Sequence, residues 1–465
     1  MRGKAWVGRL AVSAGAIALF GCGDNDSTAP DRVLSADASR SEVHALAAEV
    51  RLLTAGRGIT ALSKPAQVRP ALVQLGQALA FDKVLSGNRD ISCMSCHLPS
   101  LATGDGRSLS IGQGGSGLGP LRTHPADVAF IPRNSPAVFN LFAITELFWD
   151  GRVSRDAAGN YHTPAGASLT PAMTSVFEFG AVSAQPLFPV LSREEMRAFG
   201  GNELAAIPDA QQQQIWAALM ARLGAIPEYR HMFEKAYPGQ RFEQMTFAHA
   251  SNAIAGFIID KLSFNNSPWD RFLRGNDEAM TQVQLVGAKN FMSARCSICH
   301  NGPALTDNQF HNVAVAQIGP GKGVLPNAQD DFGRAGETGN LQPGSPERYA
   351  FRTPPLRNVE LTAPYGHDGA FLSLRDFVDH YSESDVKLMN FDFSQLEPEL
   401  QGTVLNNKAD ILATRDPLLE GVVFTPQTVD EVTEFMKALT DPAARNLAGV
   451  VPGRVPSGLP VDGRK

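Results

Sequence analysis

Four of the chain's five cysteines fall in two pentapeptides, Cys93-Met94-Ser95-Cys96-His97 and Cys296-Ser297-Ile298-Cys299-His300. Two thiols separated by two residues can reach both vinyl groups of one porphyrin, and the histidine that follows is then placed beneath the iron as proximal ligand. Five consecutive residues thus supply both covalent attachment and axial ligation of a haem c. A single motif of this kind also reads as a redox dithiol, half a zinc site or a coincidence. Two copies with no mature cysteine left over favour two haems c, because one zinc site would have to unite pairs from opposite halves of the chain.

The fifth cysteine belongs to a leader. Arg2, Lys4 and Arg9 precede an apolar run from Leu10 to Phe20, followed by Gly21-Cys22. Residues 1–22 therefore read as a signal peptide, too short to span a bilayer as a mature helix. A small residue before cysteine resembles a bacterial lipoprotein cleavage site. The expected location is periplasmic, with a lipid on Cys22 as membrane anchor; ordinary cleavage to a soluble periplasmic protein is the alternative.

The formal net charge is −6, and removal of residues 1–21, with three cations and no acid, makes it three units more negative. An acidic exported chain is a poor nucleic-acid binder, so no nucleic-acid partner is expected. A length of 465 residues with 43% hydrophobic content is enough for two buried cores.

The elements that must position the two motifs are mostly helical. Apolar spacing predicts helices over Pro70–Phe81, Gln211–Leu223, Ala248–Leu262, Thr281–Phe291, Leu374–Tyr381 and Val429–Leu439, while alternating strand patterns are few and short. Glycine and proline crowd the stretches 104–136 and 319–355, as suits loops wrapped round a cofactor. The reading is a mainly α fold of two cytochrome c-like haem domains with long loops. Residues 23–60 read as a flexible tether, 61–245 as the first haem domain, 246–280 as an interdomain helix and linker, 281–440 as the second haem domain, and 441–465 as a tail.

Other segments carry a resemblance. Pro132-Arg133-Asn134-Ser135-Pro136, Val138-Phe139-Asn140 and Phe148-Trp149-Asp150-Gly151-Arg152 lie between the haem motifs. Phe351-Arg352-Thr353-Pro354-Pro355-Leu356-Arg357-Asn358 and Leu361-Thr362-Ala363-Pro364-Tyr365-Gly366-His367-Asp368-Gly369 follow the second. Over residues 65–440 or so the chain resembles the bacterial di-haem cytochrome c peroxidases and their relative MauG. The resemblance implies that the first haem, with proximal His97, meets hydrogen peroxide and the second, with proximal His300, transfers electrons.

Members that need reductive activation carry a histidine in a loop resembling Ser-Ile-Gly-His-Gly, whereas this chain has Ser110-Ile111-Gly112-Gln113-Gly114. Glutamine is a poor iron ligand, so the first haem is expected to be open to peroxide; His124, in the same loop, is the alternative ligand. The family's distal pair maps onto Gln185 and Glu195-Met196, which makes Glu195 the acid/base and Gln185 a hydrogen-bonding partner. Glu194 is the competing carboxylate, and Ser192-Arg193-Glu194-Glu195 also reads as a helix capping box. Trp149 matches the tryptophan between the two haems. Asn134, Thr362 and Pro364 match positions whose oxygens hold a calcium ion, although Asn and Pro are also common turn formers.

At the second haem the family's electron-accepting members place methionine where this chain has Tyr381, and MauG places tyrosine there. Met389 and His380 are the other candidates for that face. Methionine raises a haem's potential, whereas a phenolate favours oxidised iron. The resemblance thus implies peroxide reduction, with MauG-like oxidation of a partner protein's Tyr or Trp as the alternative and a non-catalytic electron carrier or redox sensor as the third. A cytochrome c or cupredoxin is the expected donor for the first reading, a protein substrate the partner for the second, and a homodimer is the family's common assembly.

Overall fold

A computed structural model describes residues 29–464 except 124, 126–129 and 323–328, with side chains from residue 40. The leader, Cys22 and His124 lie outside the described residues. Residues 1–45 and Leu46–Lys465 are separate compact units, and the second holds both haem motifs.

The two halves of the larger unit repeat one device. Pro70–Phe81 crosses Phe247–Lys261 in the first half, and Gln282–Ser293 crosses Pro426–Ala438 in the second. Each crossing needs a glycine. A Cβ on Gly76 would lie 1.8 Å from the Ala253 carbonyl oxygen, and one on Gly287 would lie 1.9 Å from that of Glu431. Gly76→Ala is therefore expected to lower stability by about 1–3 kcal/mol through overpacking, read as a lower midpoint in denaturant unfolding. Aromatic pairs reinforce the crossings, Phe81 with Phe257 and Phe291 with Phe435. Each Cys-x-x-Cys forms a single helical turn, Cys93–Cys96 and Cys296–Cys299, closed by bonds from His97 N to Cys93 O and from His300 N to Cys296 O.

Strands are short, as the sequence implies. Glu146–Leu147, Val153–Arg155 and Tyr161–His162 form an antiparallel meander whose first two strands flank the Trp149 segment, and Phe310–His311 pairs with Phe351–Arg352. Among the described residues no helix is long and apolar enough to cross a membrane.

Three expectations are corrected. Ala29–Ala55 is helical where a flexible tether is expected, and its end buries Ala47, Val50 and Thr54. From Asp31 to Ala55 there is neither Gly nor Pro, so backbone propensity favours a helix that apolar periodicity does not announce. The expected interdomain helix, Phe247–Lys261, is buried from Phe247 to Ile259 in the core of the first half. A helix apolar on all sides belongs inside a core.

Residues 441–465, expected to be a tail, pack against the first half: Leu447, Val450 and Val455 join its core. Ser457 Oγ donates to Asp82 Oδ1 at 2.6 Å, and Tyr229 donates to the same carboxylate. Asp462 accepts from Ser95 Oγ inside the first haem motif and pairs with Lys83 at 2.7 Å. The apolar residues of this stretch are too widely spaced to show a period, so only long-range packing reveals them.

Candidate functional site

The first motif opens onto a cleft with about 1220 Å³ of atom-free space, lined by Cys93, Cys96 and His97 together with Gln185, Glu195, Trp149, Arg152 and Met196. Ser92 and Ser95 cap the turn through reciprocal side-chain bonds. His97 Nδ1 lies 3.0 Å from the Thr103 carbonyl oxygen, which can only accept, so Nδ1 carries the hydrogen and Nε2 keeps its lone pair. Burial lowers the pKa of His97 and favours this neutral ring. His300 repeats the arrangement, with Nδ1 3.0 Å from Leu305 O, and burial pushes its pKa down to about 4.

Burial also pushes the thiols up, Cys93 and Cys296 each to about 12, the reverse of the activated thiolates a redox dithiol needs. Among the described residues the one group of three or more Cys, His, Asp or Glu able to hold a metal is Cys299, Asp307 and His311, so the two cysteine pairs do not form a zinc site. Paired thiols beside a histidine whose Nδ1 is held by a backbone carbonyl, twice over, fit covalently held haem.

Glu195 stands on a five-residue turn, Arg193–Arg197, whose backbone bonds run to the fifth residue, from Arg197 N to Ser192 O and from Ala198 N to Arg193 O. Such widened turns are common at functional sites. Ser192 Oγ accepts from Glu195 N, half of the capping box, and donates to Glu194 Oε2 at 3.1 Å. The two carboxylates are thereby separated. Glu195 lines the cleft and Glu194 does not. Burial raises the pKa of Glu195, and Arg152 opposes this from across the site.

The Ser110–Gly114 loop lies against the back of that turn. A Cβ on Gly112 would be 1.8 Å from Glu194 O, and Gln113 N donates to Glu195 O at 3.0 Å. The Gln113 side chain accepts from Asn88 Nδ2 at 2.6 Å and does not line the cleft.

The second motif faces a larger cleft, about 1910 Å³ of atom-free space, lined by Cys296, Cys299, His300 and Tyr381 and by Phe377, Tyr365 and Met436 among others. Tyr381 follows the Leu374–His380 helix directly. His380 is turned away, its Nε2 2.8 Å from Val313 O, and Met389 is 55% exposed; neither lines the cleft.

Trp149 lines both clefts, and its Nε1 donates to Asn134 O at 2.9 Å. Asn134, Thr362 and Pro364 all line the second cleft. Asn134 Nδ2 donates to Arg107 O at 3.0 Å, which leaves Oδ1 as an oxygen donor.

Sequence reasoning missed the charged frame around these groups. Arg133 holds Asp331 with Nε at 2.6 Å and Nη2 at 2.8 Å and reaches Asp150 with Nη1 at 2.6 Å, while Arg152 joins Asp150 at 3.0 Å. Burial by itself would raise the pKa of Asp150, but Arg133 and Arg152 outweigh it and hold the carboxyl well below the usual range. Arg133 and Arg152 line the first cleft, so the frame ties the Trp149 segment to the loop carrying Asp331. Its signal was their place in the segments flanking Asn134 and Trp149.

Residues 70–278 match the family described as di-haem cytochrome c peroxidase. The chain is 30% identical to cytochrome c551 peroxidase of Pseudomonas aeruginosa over 305 residues, 66% of this chain and 70% of that protein. The chain belongs to the di-haem cytochrome c peroxidase and MauG family. It is 29% identical to methylamine utilization protein MauG of Methylorubrum extorquens over 84% of this chain and 87% of that one. A solved MauG-like protein associated with microbial copper homeostasis superposes with a TM-score of 0.56 at 25% identity, over 83% of this chain and 94% of its own. The diheme peroxidase BthA of Burkholderia thailandensis shares the fold, with a TM-score of 0.54 at 21% identity over 84% of this chain and 92% of that one. As a family member the protein is an oxidoreductase acting on peroxide, and two covalently attached haem c groups are its cofactors.

Proposed function

We propose that the protein reduces hydrogen peroxide to water in the first cleft, with electrons passing through the second haem. The observation that carries this reading is the placing of Glu195, and not Glu194, in the cleft that holds Cys93, Cys96 and His97. When bound there, haem supplies an iron centre that accepts peroxide oxygen and exchanges electrons. The residues supply the proton chemistry. Glu195, as carboxylate, takes the proton from the near peroxide oxygen and returns one to the far oxygen, which leaves as water. Gln185 orients the peroxide by hydrogen bonding, and Arg152 favours the ionised form of Glu195. Ser135 and Thr103 keep the Nδ1 side of His97 engaged, which fixes the ring for ligation through Nε2.

Trp149, shared by both clefts, is the natural π-bridge for electrons. Tyr381 would close the second haem opposite His300, supported by its place in the cleft lining. Asn134, Thr362 and Pro364 would hold calcium through amide, hydroxyl and carbonyl oxygens, the donors that ion prefers. A periplasmic location, lipid attachment at Cys22, a cytochrome c or cupredoxin donor and a homodimer complete the reading.

The test is direct. Purified ferric protein mixed with peroxide should change its visible spectrum without prior reduction, because Gln113 is engaged with Asn88 and offers the first haem no ligand. A requirement for prior reduction would overturn this reading of the first haem. MauG-like oxidation of a protein's Tyr or Trp is the second reading, favoured by Tyr381. Covalent alteration of a protein in place of sustained turnover of a small cytochrome or dye would decide for it.

A further inference from the structure

His311 lines the second cleft on the Phe310–His311 strand, which pairs with Phe351–Arg352. Its Nε2 lies 3.0 Å from Asp307 Oδ2, and its Nδ1 lies 2.5 Å from Asp416 Oδ2. A carboxylate only accepts hydrogen bonds, and a neutral imidazole has one N–H to give. Both contacts are filled only by the doubly protonated ring. Burial alone would lower the pKa of His311, but hydrogen bonds to Asp307 and Asp416 oppose it and raise it. Both acids move the other way, to lower values, as partners of a cation must.

The clamp is rigid. Asp307 uses Oδ1 to accept from Gln309 N at 2.9 Å, and Asp416 uses Oδ1 to accept from Leu418 N at 2.8 Å. Asp416 N is itself bonded to Asn312 O at 3.0 Å. Each acid therefore spends one oxygen on the backbone and aims the other at the ring. The three side chains are only 16–17% exposed, so water screens the charge weakly. Ligating atoms of Cys299, Asp307 and His311 lie within 4.8 Å of one another. In this family the Cys299 sulfur is a thioether to haem and both His311 nitrogens face carboxylates, so the cluster is not a free metal site.

We infer that His311 is an electrostatic positioning residue for the second haem: a fixed imidazolium, clamped by Asp307 and Asp416 against the Cys299 attachment, that raises this haem's reduction potential. The inference rests on the family's second haem and not on the identity of the ligand opposite His300. The iron's charge falls by one when it gains one electron, and a neighbouring cation favours that change. No proton or electron passes through His311 itself. The clamp carries one positive and two negative charges, so losing the ring charge leaves two uncompensated carboxylates beside the haem.

Redox titration of the full-length di-haem protein, following each haem by its own absorbance or magnetic resonance signal, tests this. His311→Gln should lower the potential of the second haem and leave that of the first unchanged. His311→Gln combined with Asp416→Asn restores the clamp's net charge and should recover most of the shift, which repair of a merely structural defect would not do. An unmoved second potential in His311→Gln, or a shift that the double variant fails to reverse, overturns the inference. Should His311→Gln fail to retain haem, Asp416→Asn alone keeps an amide oxygen for Nδ1 and should raise the second potential; no rise overturns the inference equally. Mass measurement of the unaltered protein separates this from the underlying reading, which fails if the second haem is not attached at all.

Discussion

Replacing Glu195 with glutamine should slow the reaction of the ferric protein with peroxide by about 10²- to 10⁴-fold, the usual contribution of a positioned acid/base. Stopped-flow absorbance at several peroxide concentrations measures it. Glutamine keeps the shape of the side chain and can still hydrogen-bond, but it cannot accept the peroxide proton. Glu194→Gln is the control. That carboxylate accepts from Ser192 Oγ and lies outside the cleft, so its replacement should leave the rate within about threefold of the starting protein. Equal losses in both variants would refute the assignment.

The pH profile carries the same information with a definite sign. In the proposed reaction Glu195 works as the carboxylate, and burial raises its pKa above the ordinary value of 4.5. The rate should therefore fall as pH drops through that raised value, starting at a higher pH than a solvent-exposed glutamate would require. In Glu195→Gln this acid limb should vanish. A limb that persists in the variant belongs to another group.

Replacing Tyr381 with methionine should raise the potential of the second haem by at least about 0.1 V, within the roughly 0.8 V that axial ligands span. Burial disfavours a bare phenolate at Tyr381 and pushes its hydroxyl pKa well up, so the ionised form is sustained there only by a cation such as ferric iron. A thioether at that face favours reduced iron instead. Redox titration reads the shift, and electron paramagnetic resonance of the oxidised protein should show the second haem's low-spin signal changed and the first haem's kept. The methionine variant should also accept electrons more readily from small cytochromes. If neither potential nor signal changes, Tyr381 is not the ligand and MauG-like protein oxidation is disfavoured.

On the two proposals, the effects of Tyr381 and His311 would oppose one another in the unaltered protein. A phenolate ligand would pull the second haem's potential down, and the clamped imidazolium would lift it. Their separate variants should move the potential in opposite directions, Tyr381→Met upward and His311→Gln downward.

Much of the molecule is legible in its amino-acid sequence. Two Cys-x-x-Cys-His motifs specify attachment because the chemistry is local: five residues on one helical turn provide two sulfurs and a ring. The helix Pro70–Phe81 forms over the expected residues, and five others lie within a few residues of where apolar spacing puts them, since periodicity is a property of neighbours three and four apart. Glu195 and Tyr381 are named only through the family resemblance, which left Glu194 and His380 as competitors beside them. Adjacent residues differ by about a hundred degrees of helix rotation, and the cleft selects one of them.

The tertiary structure decided what depends on distant chain segments meeting. Asp462 reaches Ser95 from 367 residues away, Asp416 reaches His311 from 105, and Arg133 finds Asp331 at 198. None of these pairs has a sequence signature, because an ion pair requires only proximity and leaves no period behind. Residues 441–465 resemble a tail in sequence for the same reason: a few apolar anchors without regular spacing are silent until another surface receives them. Local covalent geometry and helical repeat are thus readable from sequence alone. Which carboxylate lines the first cleft, and that the His311 ring lines the second, followed from packing.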